Sequence, residues 1–200
     1  MRQNPARRTA LLDAAIEVLA DEGSRGLTLR AVDQQAEVPT GTTSNYFSNR
    51  ADLLEQLMVR VRERLTPDPA ELAETMRATP SRDLVKTLMH QLLDRTRRER
   101  SSHLALLELR LEATRRPELD TMLTRFFTAD LEANVAFHVD AGLPGDSGSV
   151  LLLYLGMLGL IVDDLTVPEV LRPHGVEALV DSLVDRVFPP PAGAEVVGQG

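Results

Sequence analysis

Apolar positions recur along most of the chain at intervals of three and four residues, the spacing that lines one face of an α-helix. Leu12, Ala15, Ile16, Leu19 and Ala20 form the first stripe; Asn4 is placed to cap that helix, Pro5 holds its first position and Gly23 stops it. Thr28 is then a candidate cap for a short helix with Leu29, Val32 and Ala36 facing inward, and the Glu-Val-Pro at 37–39 breaks the chain. The pattern predicts a further short helix from Thr40 to Tyr46. Ser48 or Asn49 caps a longer one, whose Leu54, Leu57, Met58, Val61 and Leu65 share a buried face. Two short helices joined by a tight turn and braced by a longer helix on each side read as a helix-turn-helix unit.

Thr-Pro-Asp-Pro at 66–69 breaks that helix and marks the predicted boundary between a domain of residues 1–65 and one of residues 66–188. Beyond it the periodicity predicts helices from Ser81 to Glu99, Ser102 to Arg115, Pro117 to Ala141 with Gly142 as the stop, Gly148 to Leu165, and His174 to Phe188. No stretch alternates as a strand would, so the fold class is all-α: a helix-turn-helix head followed by a larger helical domain. Residues 189–200 lack apolar periodicity and are expected to form a flexible tail. The run from Val150 to Val162 is apolar nearly all round, yet falls short of the roughly 18 residues of a membrane span. It predicts a buried interface helix. Leu151, Leu155, Gly156, Leu158, Gly159 and Val162, with Leu179 and Leu183 of the last helix, are the candidate contacts of a four-helix bundle between two copies.

Composition excludes several classes. A 200-residue chain with 43% hydrophobic residues has enough for a sizeable core, and the absence of Cys removes disulfide frameworks, thiolate metal sites and thiol nucleophiles. The residues after Met1 are polar rather than the apolar core of a signal peptide, so the expected location is the cytoplasm. His90, His103, His138 and His174 are scattered without metal-ligand spacing, and no Gly-rich loop follows a strand; no metal or cofactor is expected. Gly-Asp-Ser-Gly at 145–148 mimics a serine-protease nucleophile motif, but without a β-barrel and a His-Asp pair it reads as a turn and helix cap. Catalysis is not expected.

The formal charge of -8 lies unevenly: residues 1–65 hold 9 basic and 9 acidic side chains, residues 66–200 hold 13 and 21. A neutral head on an acidic body remains compatible with DNA binding if its arginines share a face. The head also contains the stretch VPTGTTSNYFSNR at 38–50, a poor isolated helix. Thr40, Gly41, Thr42, Thr43, Ser44 and Asn45 combine small size with hydrogen-bonding groups, as close approach to base edges in a major groove requires. Phe47 is placed to pack beneath the unit, the Tyr46 hydroxyl to reach a phosphate, and Arg50 joins a charge to a helix start, a phosphate-binding combination. Arg30 is the candidate for bidentate recognition of guanine. Two readings stay open for Arg7 and Arg8, approach to the DNA backbone or a solvated helix start, and two for Thr28, a cap alone or a cap with a phosphate contact.

These residues, LTLRAVDQQAEVPTGTTSNYFSNRADLL preceded by a helix ending LADEG, resemble the DNA-binding domain of the TetR family of bacterial transcriptional regulators over about the first sixty residues. The resemblance implies an all-helical homodimer, a C-terminal effector-binding domain whose last two helices form the dimer interface, and repression usually relieved by a small molecule. Its implied partners are a palindromic operator in double-stranded DNA, a second copy of the chain and an unidentified effector, with no membrane. Carried over residue by residue, it implies phosphate contacts for Thr28, Tyr46 and Arg50, and contacts to bases or nearby backbone for Arg30, Thr40, Thr42 and Asn45. Ser44 departs from the Tyr, and Arg50 from the Lys, that many members carry. A regulator that activates or lacks a small ligand is one alternative; a helical small-molecule-binding protein that has lost DNA binding is another.

In the larger domain, Leu119, Met122, Leu123, Phe126, Ala133 and Phe137 share a helix stripe, and projection at ~100° per residue puts Asp130 and Asn134 within it. Phe126, Asp130, Asn134 and Phe137 are therefore the candidate effector-binding residues, a carboxylate and an amide among phenyl rings. The other reading, that Asp130 pairs with an arginine of a neighbouring helix, stays open. Glu108 and Glu112 lie near Arg115 and Arg116 and read as an ion-pair network, and His90 projects from the Leu84, Leu88, Leu92 stripe toward solvent.

Overall fold

The structure, a computed structural model, describes residues 4–190. All regular elements among them are helical: α1 (Pro5–Gly26), α2 (Leu29–Gln35), α3 (Arg50–Leu65), α4 (Pro69–Thr75), α5 (Arg82–Arg98), α6 (Arg100–Ala113), α7 (Pro117–Asp140), α8 (Ser147–Thr166) and α9 (Val176–Val187), with 3-10 turns at Thr43–Asn45 and Pro168–Val170. The tail expected at 189–200 falls almost wholly outside the described residues. The all-α class holds, with two local differences. Pro69 does not merely end α3; with Asp68 capping Ala70 N and Glu71 N it starts α4, because proline at a first helical position forfeits no hydrogen bond. The helix expected from Thr40 to Tyr46 is only a single 3-10 turn between ordinary turns.

The described chain forms two compact units: residues up to 66 together with 96–128, and 67–95 together with those from 129 on. In the first, α1 is the central element. Asn4 accepts hydrogen bonds from Ala6 N and Arg7 N at its start, and Gly23 interrupts it near its end with a φ of 69° that only glycine adopts without strain. Leu11, Ala15, Ile16 and Leu19 have no exposed surface, because α1 is covered by α2 and α3 on one side and α6 on another. Its apolar arc is too wide for the head alone to cover. That is why Ala105, Leu106 and Leu109 of α6, with Leu119 and Leu123 of α7, join the same core as Val32, Phe47, Leu53 and Leu57. Each such Leu, Val or Phe side chain contributes ~1.5–3 kcal/mol by leaving water. At the rim, Arg60 pairs with Asp13 at 2.8 Å, and Arg64 with Glu17 at 3.3 Å and Glu99 at 2.7 Å, tying α1, α3 and the start of α6.

In the second unit α8 and α9 pack together. A Cβ on Gly156 would lie 2.7 Å from both terminal methyls of Leu183, so this glycine lets α9 approach within the chain, whereas a Cβ on Gly159 would meet nothing within 4 Å. Val150, Leu153, Met157, Ile161 and Leu165 form the covered face of α8, while Leu151, Leu152 and Leu155 stay 40%, 62% and 53% exposed. The apolar run lies inside a longer helix that meets a membrane span's length and composition, as core helices of soluble proteins also do. Along α5 and α9, Lys86 pairs with Asp185 and His90 Nε2 with Asp181, both at 2.8 Å. His90 is thus half-buried in an interhelical hydrogen-bonding contact rather than directed to solvent. Asp146 caps α8 through Ser149 N at 2.8 Å, so Gly-Asp-Ser-Gly is a turn and cap.

Candidate nucleic-acid interface

The candidate residues lie on three pieces of the first unit: the start of α2, residues 40–46, and the start of α3. Thr28 caps α2, its Oγ1 accepting from Ala31 N at 3.1 Å, and stays exposed; Arg30, the second residue of the helix, is exposed as well. Glu37, just beyond α2, sits at φ 52°, a left-handed conformation unusual for a residue with a side chain. Gly41 follows at φ 91°. These two turns carry the chain from α2 to the surface segment in which Thr40, Ser44 and Asn45 are exposed and Thr42 half-exposed.

Hydroxyls and amide in this segment are first used locally. Thr42 Oγ1 donates to Pro39 O at 2.5 Å, Ser44 Oγ to Gly41 O at 2.8 Å and Asn45 Nδ2 to Gly41 O at 3.0 Å. Small polar side chains that return to their own backbone keep a short non-α turn rigid, and an exposed Ser or Thr oxygen still has lone pairs to offer outward.

Three of these side chains are engaged within the chain. Thr43, taken for a DNA-facing residue, has no exposed surface: its N and Oγ1 donate to Asp33 Oδ1 at 2.7 and 2.5 Å, so it is an internal strut. Arg50, taken for a phosphate ligand, is half-buried. It donates from Nη1 to Leu27 O, and from Nη2 to Ser24 O at 2.7 Å and Ser24 Oγ at 3.0 Å. Ser24 lies in the last turn of α1 and Leu27 is its C-cap, where helix carbonyls lack partners along their own helix, and the guanidinium fork satisfies them. Arg8, left open between DNA and solvent, is half-buried; it donates to Tyr46 O at 3.1 Å and to Gln56 Oε1, and its guanidinium lies 5.2 Å from the centre of the Phe47 ring. It braces the Tyr-Phe pair from α1. Phe47 is buried as expected, Tyr46 half-buried, and Arg7 exposed.

Asp33 had no assignment from sequence. Only 3% exposed, it also accepts from Gly41 N through Oδ2 at 2.6 Å. Burial raises its pKa, but the hydrogen bonds from Thr43 and Gly41 outweigh this and leave the carboxyl below its usual value. The available signal was a carboxylate beside Val32 on the inward arc of α2, where a charge needs partners. At the start of α3, Asn49 caps Asp52 N at 3.0 Å while Asp52 Oδ2 accepts from Ser48 N at 2.8 Å, a reciprocal cap.

The expected effector residues fall in both units, Phe126 in the first and Asp130, Asn134 and Phe137 in the second. Phe126 packs edge-on against Phe127 with centroids 5.2 Å apart, and the Arg62 guanidinium covers it at 4.7 Å. Phe137 is 39% exposed, and Asn134, also exposed, donates to Asp130 O at 2.9 Å, one turn back along its own helix. The projection gathered them into one stripe, but α7 is covered there over only part of its length. The dimer candidates divide: Leu151, Leu155 and Gly159 are exposed, Leu158, Val162, Leu179 and Leu183 are partly covered, and Gly156 serves the α8–α9 contact. Among the described residues no group of three or more His, Cys, Asp or Glu is arranged to hold a metal.

Two family descriptions match the chain: "Bacterial regulatory proteins, tetR family" over residues 11–57, and "Tetracyclin repressor-like, C-terminal domain" over residues 80–190. The HTH-type transcriptional regulator BetI of Paraburkholderia phytofirmans is 40% identical over 55 residues, 28% of each chain. BetI of Paraburkholderia xenovorans is 35% identical over 74 residues, 37% of this chain and 38% of that one. The matched part thus spans little more than a third of these relatives at most. Among solved structures, the multidrug binding protein EbrR complexed with imidazole superposes with a TM-score of 0.64 at 25% identity, covering 95% of this chain and 99% of that one. GusR of Salmonella enterica, alike in fold, gives a TM-score of 0.69 at 20% identity over 94% and 98%.

Proposed function

The chain belongs to the tetR family of bacterial DNA-binding transcriptional regulators, and on that premise we propose that it is a homodimeric repressor which a small-molecule effector releases from an inverted-repeat operator. The observation that carries the dimer is the second face of α8: Leu151, Leu152 and Leu155 are exposed in one stripe beside the open Gly159. A second copy would cover this face, joining two α8–α9 pairs in a four-helix bundle. Two-fold symmetry then asks for half-sites roughly 34 Å apart or a little more. Within each half-site Arg30, Thr40, Thr42, Ser44 and Asn45 meet bases or the adjacent backbone, while Thr28 and Tyr46 meet phosphates. Repression requires the protein to work in the compartment that holds the DNA.

Effector release is supported by the match of residues 80–190 to the C-terminal domain of repressors of this family, and by a solved relative described as a multidrug binding protein. An effector acts by favouring a dimer state whose two heads no longer fit adjacent grooves, and shifts the equilibrium only by its differential affinity for the two states. The test is selection of duplexes from a random library by the purified protein, then a screen for small molecules that dissociate the selected duplex. Enrichment of an inverted repeat by a dimer is the expected result; enrichment of a single half-site by a monomer would refute the symmetric reading.

A further inference from the structure

The segment that faces outward at Thr40, Ser44 and Asn45 is held from below by one side chain. The Asp33 carboxylate accepts from Gly41 N at 2.6 Å, Thr43 N at 2.7 Å and Thr43 Oγ1 at 2.5 Å. With Asp33 3% exposed and Thr43 fully buried, neither side chain reaches a bound duplex. Their bonds nevertheless alternate with the candidate reading residues: Gly41 and Thr43 are gripped, and Thr42 and Ser44, each next to a gripped residue, face away. The Thr43 amide is one that the start of the 3-10 turn leaves without a carbonyl partner, and the Gly41 amide lies in the turn just before it.

We propose that Asp33 is a positioning residue for sequence reading: its carboxylate fixes the rotation of residues 41–45 about their own axis, so that Thr42, Ser44 and Asn45 meet base edges in a single register. This rests on the reading of residues 40–46 as the DNA-facing segment. The argument is directional. Apolar packing beneath the turn would resist its departure but hardly its rotation, since such contact has no preferred angle. Three charge-assisted bonds from two residues on either side of Thr42, Gly41 and Thr43, fix both. Asp33 lies on α2 and Arg8 on α1, so the reading turn and the Tyr-Phe pair after it are steadied from different helices, Arg8 bonding Tyr46 O at 3.1 Å.

Replacement of the carboxylate by an amide of the same shape isolates this role. In Asp33→Asn one acceptor oxygen becomes an NH2 group facing an N–H or O–H donor, so the turn must rotate or lose a bond, while the exposed side chains of α2, residues 40–46 and α3 keep their identities. The probes are a duplex enriched from a random library by the unmodified dimer and a scrambled duplex of equal length. Affinities are measured by fluorescence anisotropy at a temperature where circular dichroism shows each variant fully helical. Asp33→Asn is expected to weaken binding to the enriched duplex about tenfold or more and to leave the scrambled duplex within about twofold. Thr43→Ser, which keeps all three donors, should match the unmodified protein, and Thr43→Val, which removes only the hydroxyl bond, should fall between. A merely structural role would lower the melting temperature without changing the ratio of the two affinities. An unchanged ratio in folded Asp33→Asn, or equal losses on both duplexes, would overturn the proposal; if Asp33→Asn does not fold, the same ratio in Thr43→Val decides. A chain that enriches no duplex would overturn the DNA reading itself and the proposal with it, an outcome distinct from enrichment with an unchanged ratio.

Discussion

Replacing Arg50 by Lys separates a brace from a phosphate ligand, because it keeps the charge and removes the fork. Arg50 Nη1 bonds Leu27 O, and Nη2 bonds Ser24 O at 2.7 Å and Ser24 Oγ at 3.0 Å. Leu27 and Ser24 are 1% and 8% exposed, so water reaches the abandoned carbonyls poorly. Hydrogen bonds to a charged donor contribute ~1.5–3 kcal/mol each, and those lost from a partly exposed group less. Loss of the three together in Arg50→Ala should cost ~2–4 kcal/mol. A lysine ammonium cannot span carbonyls three residues apart as a planar guanidinium does, so Arg50→Lys should still cost ~1–2 kcal/mol. With m of roughly 2 kcal/mol/M, that is a fall of ~0.5–1 M in the urea midpoint, read by circular dichroism at one fixed protein concentration. A phosphate ligand behaves in the opposite way: Lys would substitute well, stability would hold, and Arg50→Ala would flatten the dependence of DNA affinity on log salt by about one. An unchanged midpoint for Arg50→Lys together with that flattened slope would refute the brace.

Leu155→Asp, at a position 53% exposed in the single chain, should leave helicity intact and turn the dimer into a monomer by light scattering at micromolar concentration; a dimer that survives it would remove α8 from the interface. Leu153→Asp, on the covered face of the same helix at 4% exposure, should instead fail to fold, checked by the same dichroism spectrum. Glu37→Gly relieves a left-handed φ of 52° and should raise stability by ~1 kcal/mol in urea titration, with no gain expected if that conformation is unstrained. The Asp52 carboxyl is held below its usual value of 3.8, first by the hydrogen bond from Ser48 N and then by that from Gln56. A depressed folded-state pKa contributes stability that is complete above the unfolded value and lost as pH falls through the folded one. The stability gap between the unmodified protein and Asp52→Asn should therefore be constant from pH 7 to about pH 5 and close only below 3.8; a gap that closes between pH 7 and 5 would assign it to another group.

Periodicity made the helices legible where one face is apolar and the ends are punctuated. The stripe from Leu12 to Leu19, with Asn4 and Pro5 before it, returned α1 with its cap, while the stop expected at Gly23 is a break in a helix that runs on to Gly26. The same punctuation misled at Pro69, since proline stops one helix and starts the next with equal ease, and only Asp68 ahead of it told the two cases apart. Thr, Gly and Ser favour turns over α-helix, and the segment from 40 to 46 followed that preference more closely than the expected helix did. Side-chain roles were harder to read, because a polar residue near a candidate interface has two possible partners and sequence names neither. Thr43 and Arg50 looked outward by type and turned inward because buried acceptors were waiting: the Asp33 carboxylate, and the carbonyls freed at the end of α1.

Physical signals for both existed. A cation at a helix N-terminus is opposed by the positive end of the dipole, so Arg50 at the first turn of α3 called for acceptors outside its own helix. A carboxylate on the inward arc of α2 called for donors, and Gly41 and Thr43 supply them. The remaining gap concerns what covers a face rather than which face is covered. Projection gathers Phe126, Asp130, Asn134 and Phe137 into one stripe, yet an arginine of α3 covers Phe126 while Phe137 stays at the surface. Angular position along a helix is a property of that helix alone, whereas burial depends on how far each neighbour extends beside it. In α8 the stripe of Leu153, Met157 and Ile161 is buried within the chain, and that of Leu151, Leu152 and Leu155 stays 40%, 62% and 53% exposed among the described residues. A helix apolar nearly all round therefore predicts two partners, and the one missing from the chain is the one that Leu155→Asp puts to the test.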